Sequence, residues 1–188
     1  MIVTVLWEDQ RAAGKGFGPH ELLVSCLADE LATEASTLKK RVRSHPKKGN
    51  AKVLADLKLN AARLRNSGPL FAVIDRDKVR KLWSAADAPT DCLSGLGKHF
   101  HRDAPGDYEL VFLIQNVESL LDIAADVLGE AKLRSKPSPD ERDGLFQRCT
   151  SVTSEVRLRI RQGCPSFERL VQLVAKALRP GEVSGGGT

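Results

Sequence analysis

Aromatic side chains are scarce, 5% of 188 residues, and none falls between residues 35 and 55, where positive charge is densest. A surface that stacks nucleic-acid bases needs aromatic rings, so this composition favours contacts to a phosphate backbone instead. No apolar run approaches the length of a bilayer span, which argues against a membrane protein. The first strand-like segment, residues 1–7, lacks a basic lead and runs straight into Glu8 and Asp9, so no signal peptide is expected. The four cysteines, Cys26, Cys92, Cys149 and Cys164, form no C-x-x-C pair. That pattern argues against a zinc site and a disulfide framework, and predicts reduced thiols filling the core of a cytoplasmic protein.

Acidic residues are also missing where they would be expected to compensate. From residue 35 to 55 there is none, while Lys39, Lys40, Arg41, Arg43, Lys47, Lys48 and Lys52 crowd the same stretch. With no Glu or Asp at i±4, intrahelical salt bridges do not explain the run, and phosphate is the expected counter-charge. Lys39, Lys40, Arg41, Arg43, Lys47 and Lys48 are the candidate nucleic-acid contacts. A bland reading remains beside it, in which the run is a solvated helical face. The net charge of +5 agrees with either.

What is present is a globular composition, 41% hydrophobic and 28% charged, in a length that suits one domain or a core with a small helical addition. Residues 2–7 read as a buried strand. A loop with Gly14, Gly16 and Gly18 follows, and a helix is expected to open at Pro19. The loop lacks the spacing of either G-x-x-x-x-G-K-[ST] or G-x-G-x-x-G, although Arg11 and Lys15 could touch phosphate from it. After a basic turn at His45-Pro46, a second helix is predicted over 50–66, ended by Ser67-Gly68-Pro69. Strands over 70–74 and 108–114, a helical or irregular piece over about 78–102 and a helix over 117–128 complete an alternating pattern. Alternation of this kind implies crossover connections and a mainly parallel sheet. Beyond Gly129 the pattern is helical, clearest over 137–149 and 166–178. The expected division is residues 1–129 as an α/β domain, 130–180 as a helical C-terminal extension and 181–188 as a flexible tail.

The most informative stretch is residues 71–78, Phe-Ala-Val-Ile-Asp-Arg-Asp-Lys. Side chains at i and i+2 of a strand share a side, so Asp75 and Asp77 project together from a strand's carboxyl end, where open α/β sheets bind ligands. The other strands end similarly, in Glu8-Asp9 and in Gln115-Asn116 with Glu118 in the next helix. Neighbouring parallel strands would gather these acids at one sheet edge. A Mg²⁺ or Mn²⁺ ion relieves the repulsion among acids so gathered. As an isolated motif, Asp-x-Asp is equally a polar strand-end turn.

The order strand–Glu8, helix, hydrophobic strand–Asp75-x-Asp77, strand and Glu118 resembles the Toprim domain shared by topoisomerases, primases and the overcoming-lysogenization-defect (OLD) type nucleases. The resemblance covers roughly residues 1–129. It implies a Toprim-like mainly parallel sheet flanked by helices, and a metal-dependent nuclease, hydrolysing DNA or RNA, of the kind found in phage-defence systems. It also implies Mg²⁺ or Mn²⁺ held by Glu8, Asp75, Asp77 and Glu118, these four being the catalytic residues. A partner ATPase or sensor, or a homo-oligomer, is implied as well. Asp9 stands where the family usually has glycine, and Lys132 and Lys136 are candidates for the lysine that nuclease members use beyond the last acid. Two other readings compete. One is a noncatalytic α/β module that binds nucleic acid or a partner. The other is a haloacid-dehalogenase-type phosphotransferase, which lacks its later paired-acid motif here. His99-Phe100-His101, without nearby Cys or acid ligands at zinc spacing, is read as surface or partly buried histidines.

Overall fold

The computed structural model describes residues 1–9, 16–84, 93–113, 117–133 and 137–179. Arg11, Gly14, Lys15, Cys92, Asn116, Lys136, the tail 181–188 and the side chain of Asp77 lie outside the described residues.

The chain is α/β, a four-stranded, wholly parallel sheet flanked by helices, the class that the Toprim resemblance implies. The strands are β1 (Val3–Trp7), β2 (Val42–Pro46), β3 (Leu70–Asp75) and β4 (Glu109–Leu113), in the spatial order β2-β1-β3-β4. All five residues of β1 and all six of β3 are buried. That explains why their sequences read as continuous apolar runs rather than as alternating ones, since a parallel sheet is covered on both faces. Val3, Val5, Trp7, Phe71, Val73, Val111 and Leu113 face one layer. Leu6, Leu70, Ala72, Ile74 and Phe112 face the other.

The first layer holds α1 (Pro19–Glu30), α2 (Ala35–Arg41), α5 (Val117–Leu128), α6 (Pro139–Ser151), α7 (Ser154–Gly163) and α8 (Pro165–Leu178). The second holds α3 (Asn50–Arg65), a 3-10 segment over Arg76–Leu82 and α4 (Leu93–Asp103). Residues beyond 129 are therefore part of the main core: Leu145, Phe146, Ile160, Phe167, Leu170 and Val174 belong to the same buried cluster as β1 and β3. Arg157 fastens this helical segment to α1. Its Nε and Nη2 donate to Asp29 at 2.6 and 2.7 Å, and its Nη1 to the carbonyls of Thr150, at 3.0 Å, and Val152.

One strand departs from the sequence reading. Residues around His45-Pro46, expected as a basic turn, form β2, paired with β1 from Val3↔Val42 to Trp7↔Pro46. Only Val42 of its five residues is buried, so it carries no apolar signature. A short edge strand bearing Arg and ending in Pro is a common way to discourage further pairing. By contrast, α5 spans the expected residues, and α1 opens at Pro19 as expected. Cys26, Cys149 and Cys164 are free thiols in the core, and burial pushes Cys26 and Cys149 up to about 12. Cys26 and Cys149 are thereby neutral, and all three are buried fillers, as the spacing implied. Among the described residues no helix is long and apolar enough to cross a membrane.

Candidate active site at the carboxyl edge of the sheet

The strand order fixes where the chemistry sits. From β1 the chain steps outward to β2, whereas from β3 it steps the other way to β4, so the direction reverses between β1 and β3. A crevice opens at such a point beyond the carboxyl ends of the strands. Glu8 directly follows β1 and Asp75 ends β3. The register Trp7↔Val73 places them side by side. The Glu8 N–H donates to the Val73 carbonyl at 3.0 Å, and the Asp75 N–H donates to Glu8 Oε2 at 2.8 Å. Glu8 is 8% exposed and Asp75 7%, so both carboxylates carry a desolvation cost that the Asp75 N–H to Glu8 bond offsets in part.

A cleft of about 220 Å³ lies over this pair. Its walls come from separate parts of the chain: Glu8 and Asp9 after β1, Lys48 and Gly49 at the start of α3, Asp75, then Val117 and Glu118 in the first turn of α5, and Arg142 on α6. The loop after β2 is locked to the site by backbone, the Lys47 N–H donating to the Trp7 carbonyl at 2.7 Å and the Gly49 N–H to the Glu8 carbonyl at 3.1 Å. Three of the four acids expected to act together, Glu8, Asp75 and Glu118, thus line one cleft. The side chain of the fourth, Asp77, lies outside the described residues.

The donor chemistry fits a hard divalent cation, which is commonly held by one or two carboxylates and completed by water and substrate phosphate. Among the described residues no three His, Cys, Asp or Glu side chains are close enough to share one ion. Glu8 and Asp75 are the adjacent pair, and Glu118 is a further acid of the same cleft wall.

Two cations at the cleft, Lys48 and Arg142, balance part of this charge, and sequence reasoning did not bring Arg142 here. Arg142 ion-pairs with Asp9 across 133 residues of sequence. A local signal for its helix was present. Ser138 and Glu141 form a capping box, the Ser138 N–H donating to Glu141 at 2.6 Å and the Glu141 N–H to Ser138 Oγ at 3.3 Å. The S-x-x-E spacing marks a helix start at that point. Of the two candidate lysines, Lys132 pairs with Asp126 at 3.3 Å and Lys136 lies outside the described residues.

The basic run is not uniformly available. Lys39 pairs with Glu21 at 2.8 Å, Lys47 pairs with Asp56 at 3.0 Å, and Arg41 Nη2 donates to the Leu178 carbonyl at 2.7 Å. Their partners lie on α1, α3 and α8, out of reach of any i±4 rule. Lys40, Arg43, Lys48 and Lys52 are exposed and have no salt bridge among the described residues. His99 and His101 lie beside aromatic rings, His99 tilted on Trp83 at 5.4 Å and His101 stacked on Tyr108 at 4.5 Å, which agrees with their reading as ordinary partly buried or surface side chains.

His20, near Asp9 and Asp143, has its pKa lowered chiefly by burial, against the pull of Glu21 and those two acids. Because the folded value lies below the ordinary 6.5, the unfolded chain binds more protons in the window beneath it. The neutral form therefore supports the fold fully above about pH 6.5, and that support is lost as pH falls through the folded value. His20→Gln should flatten the decline of melting temperature between pH 6.5 and 5, measured by thermal unfolding. An unchanged slope would assign the decline to other groups, His45 first, whose pKa is also lowered by burial.

A scan against protein-family models finds no match, and a search of the curated proteins finds none either. Among solved structures the chain is similar to the C-terminal region of the OLD protein of Xanthomonas campestris pv. campestris, with 15% identity, a TM-score of 0.35, and coverage of 93% of this chain and 95% of that one.

Proposed function

We propose that this chain is a metal-dependent nuclease that hydrolyses phosphodiester bonds of DNA or RNA. The observation that carries the reading is the pair Glu8 and Asp75, buried side by side at the reversal point of a parallel sheet and open to one cleft. Mg²⁺ or Mn²⁺ would be held by the adjacent carboxylates Glu8 and Asp75, with Asp77 and Glu118 as outer members of the set, and would supply Lewis-acid polarisation of the scissile phosphate and a more acidic water. The chain's own groups do the rest. Glu8 is oriented by the Asp75 N–H, Lys48 brings positive charge to the cleft wall, and Lys40, Arg43 and Lys52 hold a nucleic-acid backbone without reading sequence. Lys39, Arg41 and Lys47 have structural partners and are secondary contacts at most. A cytoplasmic setting, an effector role in phage defence and a partner ATPase, sensor or second copy rest on the motif resemblance alone.

The second reading, a noncatalytic module that binds nucleic acid or a partner, is favoured by the lack of a three-acid cluster among the described residues. A cleavage assay separates the two. Wild type is incubated with circular DNA, linear DNA and RNA in Mg²⁺, Mn²⁺ or EDTA, beside Asp75→Ala. Cleavage of at least one substrate with metal, none with EDTA and a loss of more than ~100-fold in the variant is the expected result. Wild-type chain that binds nucleic acid and leaves it intact with both metals makes the noncatalytic reading the correct one.

A further inference from the structure

Arg157, which joins α7 to α1, is engaged along the whole guanidinium, with Nε, Nη1 and Nη2 all donating. At Arg142, on the wall of the cleft, the engagement is partial. Its Nη2 donates to Asp9, while its Nε is buried with no hydrogen-bond partner among the described residues. The side chain is only 16% exposed. A buried donor without an acceptor is destabilising, more so when charged. The cleft is otherwise lined mainly by carboxylates, which suit a cation, and a guanidinium beside them suits an anion.

We propose that Arg142 is a phosphate anchor of the cleft, binding an oxygen of the substrate phosphate, and that Asp9 is the positioning residue that holds the guanidinium in place. Arg142 stands one turn into α6, whose start is fixed by the capping box at Ser138 and Glu141, so its Cα is rigidly placed. The guanidinium is planar and keeps its charge at all working pH, which lets one edge stay on Asp9 while the remaining donors take phosphate oxygens. Asp9 follows Glu8 directly, so the anchor and the buried acid pair are set by consecutive residues of one strand end. The inference rests on the phosphodiester reading of this cleft for its ligand class, and it places a binding residue in the helices beyond residue 129, which share the core of the sheet.

The test uses the full chain and two probes, inorganic phosphate and a short fluorescent single-stranded DNA. Thermal unfolding is followed with phosphate, and fluorescence anisotropy with the oligonucleotide, for wild type, Arg142→Ala, Arg142→Lys and Asp9→Asn. Arg142→Ala should weaken oligonucleotide binding about 10-fold or more and remove any phosphate-induced rise in melting temperature. Arg142→Lys should recover part of the affinity as a point charge, and Asp9→Asn should weaken binding less than Arg142→Ala does. A response to oligonucleotide alone identifies a polymer phosphate as the ligand, and a response to inorganic phosphate alone identifies a small phosphorylated one. Binding unchanged in Arg142→Ala, with the melting temperature lowered equally in Arg142→Ala and Asp9→Asn, reduces the pair to a tether and overturns the proposal. So does a wild type that binds neither probe. If Arg142-dependent binding persists in a chain that cleaves nothing, the nuclease reading falls and the anchor stands. If the chain cleaves with Arg142 irrelevant to binding, the reverse holds.

Discussion

Asp75→Ala should abolish the stabilisation that millimolar Mg²⁺ or Mn²⁺ confers on the wild-type chain. Glu8 and Asp75 are buried neighbours on adjacent strands, and two like charges so placed favour any cation that joins them. An ion that binds only the folded state adds about 2.7 kcal/mol when present at 100 times its dissociation constant. For a domain of this size that raises the melting temperature by roughly 5–10 °C. The variant loses one of the two adjacent ligands while keeping the backbone N–H that donates to Glu8, so the sheet edge survives and the ion response does not. Thermal unfolding with and without metal, in wild type and variant, reads this directly. A wild type indifferent to both ions, even with oligonucleotide present to complete the coordination, would falsify the metal centre.

The second large effect is structural. Gly68→Ala should cost roughly 3 kcal/mol or more, read as a shift of the urea midpoint without a change of slope. Gly68 has φ +138°, a conformation closed to residues with a side chain, and a Cβ there would stand 1.9 Å from the backbone oxygen of Ile2. Relief requires moving β1 away from the turn that starts β3, and the Thr4 N–H to Pro69 carbonyl bond at 2.9 Å is what sets those strands beside each other. Gly49→Ala is the control. It too has a positive φ, +89°, but nothing lies within 4 Å of its Cβ. Only the backbone term remains there, about 1–3 kcal/mol. Equal losses at the two positions would show that the close approach at Gly68 contributes nothing.

Much of this architecture is legible because buried parallel strands announce themselves: β1 and β3 are buried at every position and apolar at all but Thr4 and Asp75. The Ser67-Gly68-Pro69 punctuation is legible for the steric reason just given. What the sequence hid has a common cause, partners distant along the chain. The edge strand β2 takes its identity from pairing with β1 and only Val42 of it is buried. Lys39 and Lys47 look unpaired in sequence because Glu21 and Asp56 reach them from other helices. Arg142 meets Asp9 only once α6 has packed against α1 and α5, although the capping box that starts α6 could have been read from Ser138 and Glu141. For the acids, the strand-end rule works from local sequence alone: Glu8 and Asp75 lie side by side, and Glu118 lines the same cleft.

The wide spacing of the residues around the cleft also has a consequence during synthesis. Glu8 and Asp75 are 67 residues apart, and Asp9 and Arg142 are 133 apart. A ribosome adding about 5–20 residues per second takes roughly 7–27 s to cover the second interval. Over that time the nascent chain carries Glu8 and Asp9 but has no wall of α6 to close the crevice. A chain that ends before residue 139 therefore lacks the Arg142 wall of the crevice, and any activity that needs Arg142 would await the docking of α6.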